Sequence, residues 1–250
     1  MMTTRRQLLA FSAAAVAAPT VLGAAPRSRK IKAVAFDALT IFDLRPVTAA
    51  VKALFPDQGE ALATAWRTRQ FEYCWLRTLN RSYVDFWQVT EEALIFAFKA
   101  AKIDLPAATR AELMAEFLRL KPWPDAIAAL QVMRDAGLRL AYLSNFTPRM
   151  MQVNTEAAGA SGLFEHQLST DRVQAYKPDP RAYEMAERAF GVAREEIVFA
   201  AFGGWDVAGA KSFGLETFWV NRADAVLEEL GVKPDRVGRT LQDLAAYVTA

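Results

Sequence analysis

The segment Ile31-Lys32-Ala33-Val34-Ala35-Phe36-Asp37 decides the fold, because a short apolar run stops at a carboxylate. A run of this length and composition predicts a buried β-strand that ends at Asp37. Three later apolar runs have the same character and cover residues 138–143, 197–201 and 217–220. The chain therefore contains at least four candidate strands of one sheet.

Helical patterns accompany three of these strands, over residues 125–135, 181–190 and 207–213. Alternating strands and helices predict an α/β fold with a parallel sheet flanked by helices on both faces. In such a sheet, polar residues at the carboxyl ends of the strands meet in one crevice. The residues expected there are Asp37, Ser144, Asn145 and Asp206.

The stretch between Asp43 and about Lys121 departs from this alternation. Its patterns are helical only, over residues 60–77, 83–101 and 107–119, which predicts an all-helical insert. The segment Lys121-Pro122-Trp123-Pro124 is a plausible return linker. We therefore expect a core domain of residues 26–45 and 122–250 and a helical cap domain of residues 46–121.

The N-terminus has a different composition. Thr4-Arg5-Arg6-Gln7-Leu8-Leu9 precedes an apolar run, residues 10–22, that is too short to span a bilayer. This order resembles a twin-arginine export signal and predicts a signal peptide over residues 1–25, cleaved near Ala24. The mature protein would then be periplasmic, with no stable membrane association. The alternative is an amphipathic or disordered tail.

Composition limits the other classes of partner. The 250 residues are 53% hydrophobic, enough for one sizeable core and a smaller unit. A net charge of +2, with acids and bases interspersed, gives no reason to expect a nucleic-acid partner. The single Cys74 cannot form an internal disulfide, and we interpret it and the single His166 as packing residues. We expect no metal and no organic cofactor.

Four groups of polar residues follow one another in a specific order. Asp37 is followed by Ser144-Asn145, then by Lys177 in Tyr176-Lys177-Pro178-Asp179, and then by Asp206. Alone, Asp37 could equally be a turn or helix cap. The whole order, with a helical insert after the first motif, resembles the haloacid dehalogenase superfamily.

Within that superfamily the chain is most similar to the L-2-haloacid dehalogenases. The similarity lies in five blocks, residues 66–77, 83–88, 143–148, 176–179 and 205–210. It implies a haloacid dehalogenase-like Rossmannoid core with an all-helical cap inserted after the first strand. It also implies hydrolytic dehalogenation of short L-2-haloalkanoic acids through an aspartyl ester, and a homodimer, which the sequence itself does not show.

The resemblance implies catalytic roles for four residues. Asp37 would be the nucleophile that attacks the halogen-bearing carbon. Lys177, if within about 4–6 Å, would favour its charged form. Arg67 would bind the substrate carboxylate or the departing halide. Asp206 would position or activate the hydrolytic water. The alternatives are a solvated helix arginine for Arg67 and a helix N-cap for Asp206.

The resemblance assigns substrate binding to a second group: Thr40, Ser144, Asn145, Tyr183, Phe71, Phe86 and Trp205. The serine and asparagine would donate hydrogen bonds to the substrate, and the tyrosine would order Lys177. The phenylalanines and the tryptophan would exclude water from the reaction. The alternatives are loop-amide partners for the strand-end pair and core packing for the aromatic residues.

Two positions argue against a magnesium phosphatase, the commoner activity of the superfamily. Phosphatases carry a second Asp two residues after the nucleophile and an acidic residue four positions before the last Asp. Here those positions hold Leu39 and Phe202. Neither side chain can protonate a leaving oxygen or bind a hard cation.

Two loops depart from the dehalogenase pattern. The first loop, residues 37–43, is one residue shorter and lacks a glycine, so we expect it to take another path. Ala201 and Gly203 stand where the family has a Ser and an Asn near the hydrolytic water. Losing such a donor can slow a reaction on the order of a hundredfold. The alternative function is therefore a non-hydrolysing periplasmic protein that binds a small organic acid.

Overall fold

A computed structural model describes residues 31–250, so the predicted signal peptide lies outside the described residues. The central sheet has six strands in the order β5-β4-β1-β6-β7-β8, and every neighbouring pair is parallel. A separate antiparallel ribbon pairs β2 with β3. The strands are β1 (Ala33–Phe36), β2 (Phe42–Asp43), β3 (Lys121–Pro122), β4 (Arg139–Ser144), β5 (His166–Ser169), β6 (Ile197–Ala201), β7 (Glu216–Val220) and β8 (Arg236–Gly238).

The helices fall into those that flank the sheet and those of the insert. They are α1 (Ala38–Ile41), α2 (Arg45–Leu54), α3 (Gly59–Leu79), α4 (Phe86–Ala100), α5 (Ala107–Ala115), α6 (Ala126–Asp135), α7 (Pro148–Ala157), α8 (Pro180–Phe190), α9 (Gly204–Phe213) and α10 (Leu241–Val248). The predicted α/β fold is confirmed. The sequence patterns did not predict β8, α2, α7 or α10.

The strand β1 is buried on both faces, as its continuous apolar sequence predicts. Val34 and Phe36 belong to the apolar cluster that includes residues of α6 and α10. Ala33 and Ala35 belong to the opposite cluster, with residues of α8 and α9. Because full burial of a Val or Phe side chain stabilises a fold by about 1.5–3 kcal/mol, this strand is a major anchor of Asp37.

The chain leaves the sheet after α1 and returns through the β2–β3 ribbon. Between Asp43 and Lys121 the described residues form helices α2 to α5 and a short 3₁₀ turn, in agreement with the predicted helical character. We call α2 to α5 the cap. Trp66 of α3 is buried and donates from its indole nitrogen to the Thr90 carbonyl of α4 at 2.8 Å, which joins the two longest cap helices.

The single cysteine and the single histidine occupy packing positions. Cys74 is buried in α3, and His166 begins β5 with its ring 5.7 Å from that of Phe190. Among the described residues, no helix combines the length and apolar character needed to cross a membrane.

Candidate active site

Asp37 lies at the carboxyl end of β1 and caps the short helix α1. Its backbone N–H donates to the Ala200 carbonyl at 3.0 Å, and its Oδ1 accepts from the Leu39 N–H at 2.7 Å. The capping interpretation of Asp37 is therefore correct. It does not exclude a nucleophile, because the second carboxylate oxygen bonds elsewhere.

Lys177 is fully buried and joins two carboxylates. Its Nζ lies 2.5 Å from Asp37 Oδ2 and 2.7 Å from Asp206 Oδ2. Burial by itself lowers the pKa of Lys177, but the attraction of Asp206 and Asp37 outweighs it and the pKa is raised. Lys177 is therefore a cation at neutral pH, and it lies closer to Asp37 than the distance of about 4–6 Å at which a cation favours the charged carboxylate.

Asp206 lies in the first turn of α9, whose N-cap is Gly203, so the N-cap interpretation of Asp206 is wrong. Its carboxylate is buried and accepts from Tyr183 Oη at 2.7 Å and from Lys177. Burial raises the pKa of Asp206 to about 6, with Lys177 opposing the shift and Asp37 adding to it. A carboxylate with a pKa in this range suits proton transfer near neutral pH.

Tyr183 orders Asp206, and reaches Lys177 only through it. The predicted ordering of Lys177 by Tyr183 therefore runs through the Asp206 carboxylate, because the Tyr183 ring packs against α9. Gly209 makes the room, since a Cβ there would overlap both Tyr183 Oη and Pro178. Burial raises the pKa of Tyr183 well above its ordinary value, so its hydroxyl remains a donor.

A small cavity opens beside Asp37 at the junction of cap and core. Its volume is about 10 Å³, on a scale where one water molecule needs roughly 10–15 Å³. Its wall contains the three predicted aromatic residues, both strand-end polar residues and further apolar residues. The lining residues are Asp37, Leu39, Phe71, Phe86, Ser144, Asn145, Phe146, Phe202 and Trp205.

The strand-end pair already serves loop amides. Ser144 Oγ accepts from the Phe146 N–H at 3.1 Å, and Asn145 Oδ1 accepts from the Lys177 N–H at 3.2 Å. The role of loop-amide partner, given above as the alternative to substrate binding, is therefore correct for Ser144 Oγ and Asn145 Oδ1. Asn145 Nδ2 makes no hydrogen bond to any described residue, so it remains a donor at the wall of the cavity.

Arg67 lies on α3 and is held by two neighbours on the same helix. Its Nη1 donates to Gln70 Oε1, and its guanidinium lies 4.9 Å from the centroid of the Phe71 ring. Burial lowers the pKa of Arg67 to about 10, and the attraction of Asp37 opposes this shift. Arg67 therefore differs from Arg69, which lies over the partly exposed Phe96 ring at 4.0 Å.

Gln70 is a site residue that the sequence interpretation missed. It is fully buried, accepts from Arg67 and donates from Nε2 to Thr90 Oγ1 at 2.5 Å. Gln70 follows Arg67 by three residues, and this spacing places the two on one helix face. The sequence feature that could have identified Gln70 is a polar residue on the helix face that the apolar residues of α3 bury.

Thr40 lies apart from the cavity. Its Oγ1 donates to the Asp37 carbonyl at 2.7 Å, inside the first turn of α1. Its observed contact therefore supports the turn that follows the nucleophile. A role in contacting substrate stays a prediction.

A comparison with known proteins identifies the family. Residues 16–214 match the haloacid dehalogenase-like hydrolase family. The chain belongs to this family. The predicted superfamily resemblance is thus confirmed, and so is the core architecture of a parallel sheet flanked by helices.

Several dehalogenases of the family are similar over nearly their whole length. Haloacetate dehalogenase H-2 of Moraxella sp. (strain B) is 41% identical over 208 residues, 83% of this chain and 93% of that protein. (S)-2-Haloacid dehalogenase of Pseudomonas sp. (strain YL) is 43% identical over 206 residues, 82% of this chain and 89% of that protein. The solved L-2-haloacid dehalogenase of Xanthobacter autotrophicus with chloropropionic acid covalently bound has a TM-score of 0.81 at 33% identity, covering 87% of this chain and 98% of that chain.

The altered loop of this family member has a structural reason. A Cβ on Gly203 would lie 2.9 Å from Trp205 Nε1, so the Trp205 ring occupies the room that a larger side chain would need. Ala201 is fully buried at the end of β6. Leu39 and Phe202 both line the cavity, and among the described residues no group of three acidic, His or Cys side chains could hold a metal ion.

Proposed function

We propose that this chain is a metal-independent hydrolase that removes the halogen from short L-2-haloalkanoic acids through an ester on Asp37. The observation that carries the proposal is one buried ammonium, Lys177, bonded to two carboxylates beside an aromatic cavity. Leu39 and Phe202 replace the groups that phosphoryl transfer requires. The relatives named above as dehalogenases support the same activity.

In the first step a carboxylate oxygen of Asp37 attacks the carbon that bears the halogen. The carbon–oxygen bond forms as the carbon–halogen bond breaks, and the halogen leaves as halide with the bonding electron pair. Attack from behind the leaving group inverts the carbon. The Leu39 N–H and Lys177 fix the carboxylate from two sides, and the aromatic wall keeps water away from the reacting oxygen. Arg67 and Asn145 bind the substrate carboxylate and the departing halide.

In the second step water attacks the carbonyl carbon of the Asp37 ester. Asp206 accepts one proton of that water as the new carbon–oxygen bond forms. The bond between the carbonyl carbon and the substrate oxygen then breaks, Asp206 returns the proton to that oxygen, and the 2-hydroxy acid leaves. Asp37 regains its carboxylate by releasing a proton to solvent. Asp206 suits this role because its pKa of about 6 lies near neutrality and each of its oxygens keeps a second lone pair beside its present donor. Lys177 stabilises the negative charge that develops on the ester oxygen.

The small volume of the cavity limits substrate size. A volume of about 10 Å³ accommodates no long acyl chain without displacement of the aromatic wall. Acids of two or three carbons therefore fit with the least rearrangement. The haloacetate dehalogenase and the solved enzyme with chloropropionic acid covalently bound support the same size range, and the (S)-2-haloacid dehalogenase supports the L configuration.

Halide release from L-2-chloropropionate tests the proposal. Wild-type protein should release halide, Asp37→Asn should not, and the exposed-site control Asp57→Asn should match wild type. Mass spectrometry of a rapidly quenched reaction should find an added 1-carboxyethyl group on Asp37, joined through the ester oxygen. Ester without turnover would favour the non-hydrolysing alternative, in which Ala201 and Gly203 leave the water without a donor. Neither halide nor ester would refute the dehalogenase proposal.

We also propose export by the twin-arginine route, with removal of residues 1–25. The sequence order of Arg5-Arg6, an apolar run and small residues supports this proposal. Cell fractionation should find the wild-type protein in the periplasm and the Arg5→Lys/Arg6→Lys variant inside the cell. The same compartment for both proteins would contradict it.

A homodimer formed through the cap is the assembly that we propose. Leu76 and Leu79 of α3 and Phe96 of α4 are exposed apolar side chains on the cap. Light scattering should show twice the chain mass, and Leu79→Glu should reduce it. A monomeric wild-type protein would contradict the proposal.

A further inference from the structure

The turn that follows Asp37 is held by groups from two distant segments. Helix α1 is only four residues long, and the last carbonyl groups of a helix lack partners within it. The Leu39 and Ile41 carbonyls accept from Trp123, through its indole N–H at 3.4 Å and its backbone N–H at 2.8 Å. The Thr40 carbonyl between them accepts from Arg222 Nη2 at 3.0 Å.

Arg222 is itself held in one orientation. Its side chain is only 12% exposed, and its two Nη atoms donate to Asp125 Oδ1 and Oδ2 at 2.9 and 3.0 Å. Asp125 Oδ2 also accepts from the Leu241 N–H at 2.7 Å, at the start of α10. The guanidinium lies 4.6 Å from the centroid of the Trp123 ring. A fork fixed on one carboxylate offers its remaining donor in a defined direction.

The held turn is also the one that orients the Asp37 carboxylate. Leu39 donates its N–H to Asp37 Oδ1 at 2.7 Å, while its carbonyl is held by Trp123. Thr40, whose carbonyl Arg222 holds, donates its N–H and Oγ1 to the Asp37 carbonyl at 3.1 and 2.7 Å. A rotation of α1 would therefore move the donor to the attacking carboxylate.

We propose that Arg222 is a positioning residue for the nucleophile, acting through the Thr40 carbonyl on the turn that fixes Asp37. This inference deepens the proposed function and rests on it for its kinetic part. Arg222 does not line the cavity, and its hydrogen bonds go to Asp125, Arg239 and Thr40 rather than to Asp37. Its effect is the orientation of α1, in a loop that is short and contains no glycine.

Arg45 provides a matched control. Its guanidinium also lies 4.6 Å from the Trp123 centroid, but its side chain is 76% exposed and it bonds Asp43 rather than α1. Arg45→Gln removes one arginine from the Trp123 ring and leaves the Thr40 carbonyl bonded. Arg222→Gln removes the bond to Thr40 as well.

Two measurements on the full-length protein test the proposal. Hydrogen exchange followed by mass spectrometry should show at least a tenfold faster exchange of residues 38–42 in Arg222→Gln, and no change there in Arg45→Gln. Ester formation at Asp37 in a single turnover with L-2-chloropropionate should slow by about ten- to a hundredfold in Arg222→Gln. Binding of L-lactate should weaken less than ester formation slows, because only Asp37 and Leu39 among the lining residues belong to the turn that Arg222 holds.

Two further variants distinguish a loss of positioning from a general loss of stability. Asp125→Asn should slow ester formation to a similar extent, and the double variant should be no slower than the slower single variant, because the two residues act as one unit. Arg222→Lys keeps the charge without the fork and should give a smaller loss; it replaces Arg222→Gln if that variant does not fold.

The outcomes separate this inference from the proposed function. Equal exchange of residues 38–42 in Arg222→Gln and Arg45→Gln would overturn the inference, and so would undiminished ester formation. A wild-type protein that forms no ester would refute the proposed function instead. Hydrogen exchange alone would then decide whether Arg222 holds the turn.

Discussion

Replacement of Lys177 by Met should destabilise the protein strongly, and more at high pH than at low pH. The methionine fills similar space but leaves Asp37 and Asp206 buried without the ammonium that lies 2.5 and 2.7 Å from their oxygens. Removing one partner of a buried ion pair costs about 3–5 kcal/mol. We expect a loss of this size near pH 8.

The pH dependence follows from where the variant binds protons. Lys177 lowers the pKa of Asp206 in the wild type, so without it burial and the Asp37 charge raise that pKa further, and the folded variant takes up a proton at a higher pH than the wild type does. Its free energy of unfolding therefore rises by up to about 1.4 kcal/mol per pH unit below the raised pKa. The deficit relative to wild type should shrink markedly by about pH 5.

Urea unfolding at several pH values measures this deficit. The control is Lys52→Met, which removes an exposed ion pair with Glu60 of 2.8 Å and should cost at most about 1 kcal/mol at any pH. The reasoning fails if Lys177→Met costs no more than the control. It also fails if the deficit is equal at high and low pH.

Four further predictions concern turnover and substrate binding. Asp206→Asn should form the Asp37 ester within about tenfold of the wild-type rate but hydrolyse it at least about a hundredfold more slowly. Intact-mass spectra should therefore show the ester accumulating. Rapid hydrolysis of the ester in this variant would contradict the role of Asp206. Since the Asp206 pKa is about 6 and its proton-accepting form is the anion, steady-state turnover should fall about tenfold per pH unit below that value, and an unchanged rate at pH 5 would rule the base out. Tyr183→Phe removes a hydrogen bond that lowers the Asp206 pKa, so turnover should begin to fall at a higher pH than in the wild type. A full pH–rate profile measures this, and a shift to lower pH would contradict the prediction. Gln70→Leu leaves Arg67 without its amide partner and should raise KM about tenfold with little change in kcat. A change in stability without a change in KM would show that Gln70 serves packing alone.

The parts of the structure that were predictable depend on local patterns. The β1 strand and its terminal Asp37 follow from one apolar run, and the meeting of Ser144, Asn145 and Asp206 follows from the geometry of parallel strands. Family resemblance added Lys177, whose distance from Asp37 along the chain no local pattern could bridge.

The parts that were missed depend on contacts between distant segments. The hydrogen-bond partner of Tyr183, Asp206, could not be predicted because only the packing of α8 on α9 decides which group its hydroxyl meets. Gln70 on α3 was overlooked because its value depends on Thr90 of α4. Arg222 donates to the Thr40 carbonyl, 182 residues away in the sequence. Neither hydrophobic periodicity nor motif spacing predicts a contact between such distant residues.

The small cavity beside Asp37 has a consequence for kinetics. A volume of about 10 Å³, on the scale where one water molecule needs roughly 10–15 Å³, leaves no room for a 2-halo acid unless the wall residues move. Each catalytic cycle must begin when the aromatic wall separates, and the β2–β3 ribbon is where the chain passes between core and cap. If a fraction f of molecules is open at any moment, the apparent Kd is the intrinsic Kd divided by f. Substitutions far from Asp37 that stiffen this ribbon would therefore weaken apparent affinity while leaving the chemistry on Asp37 untouched.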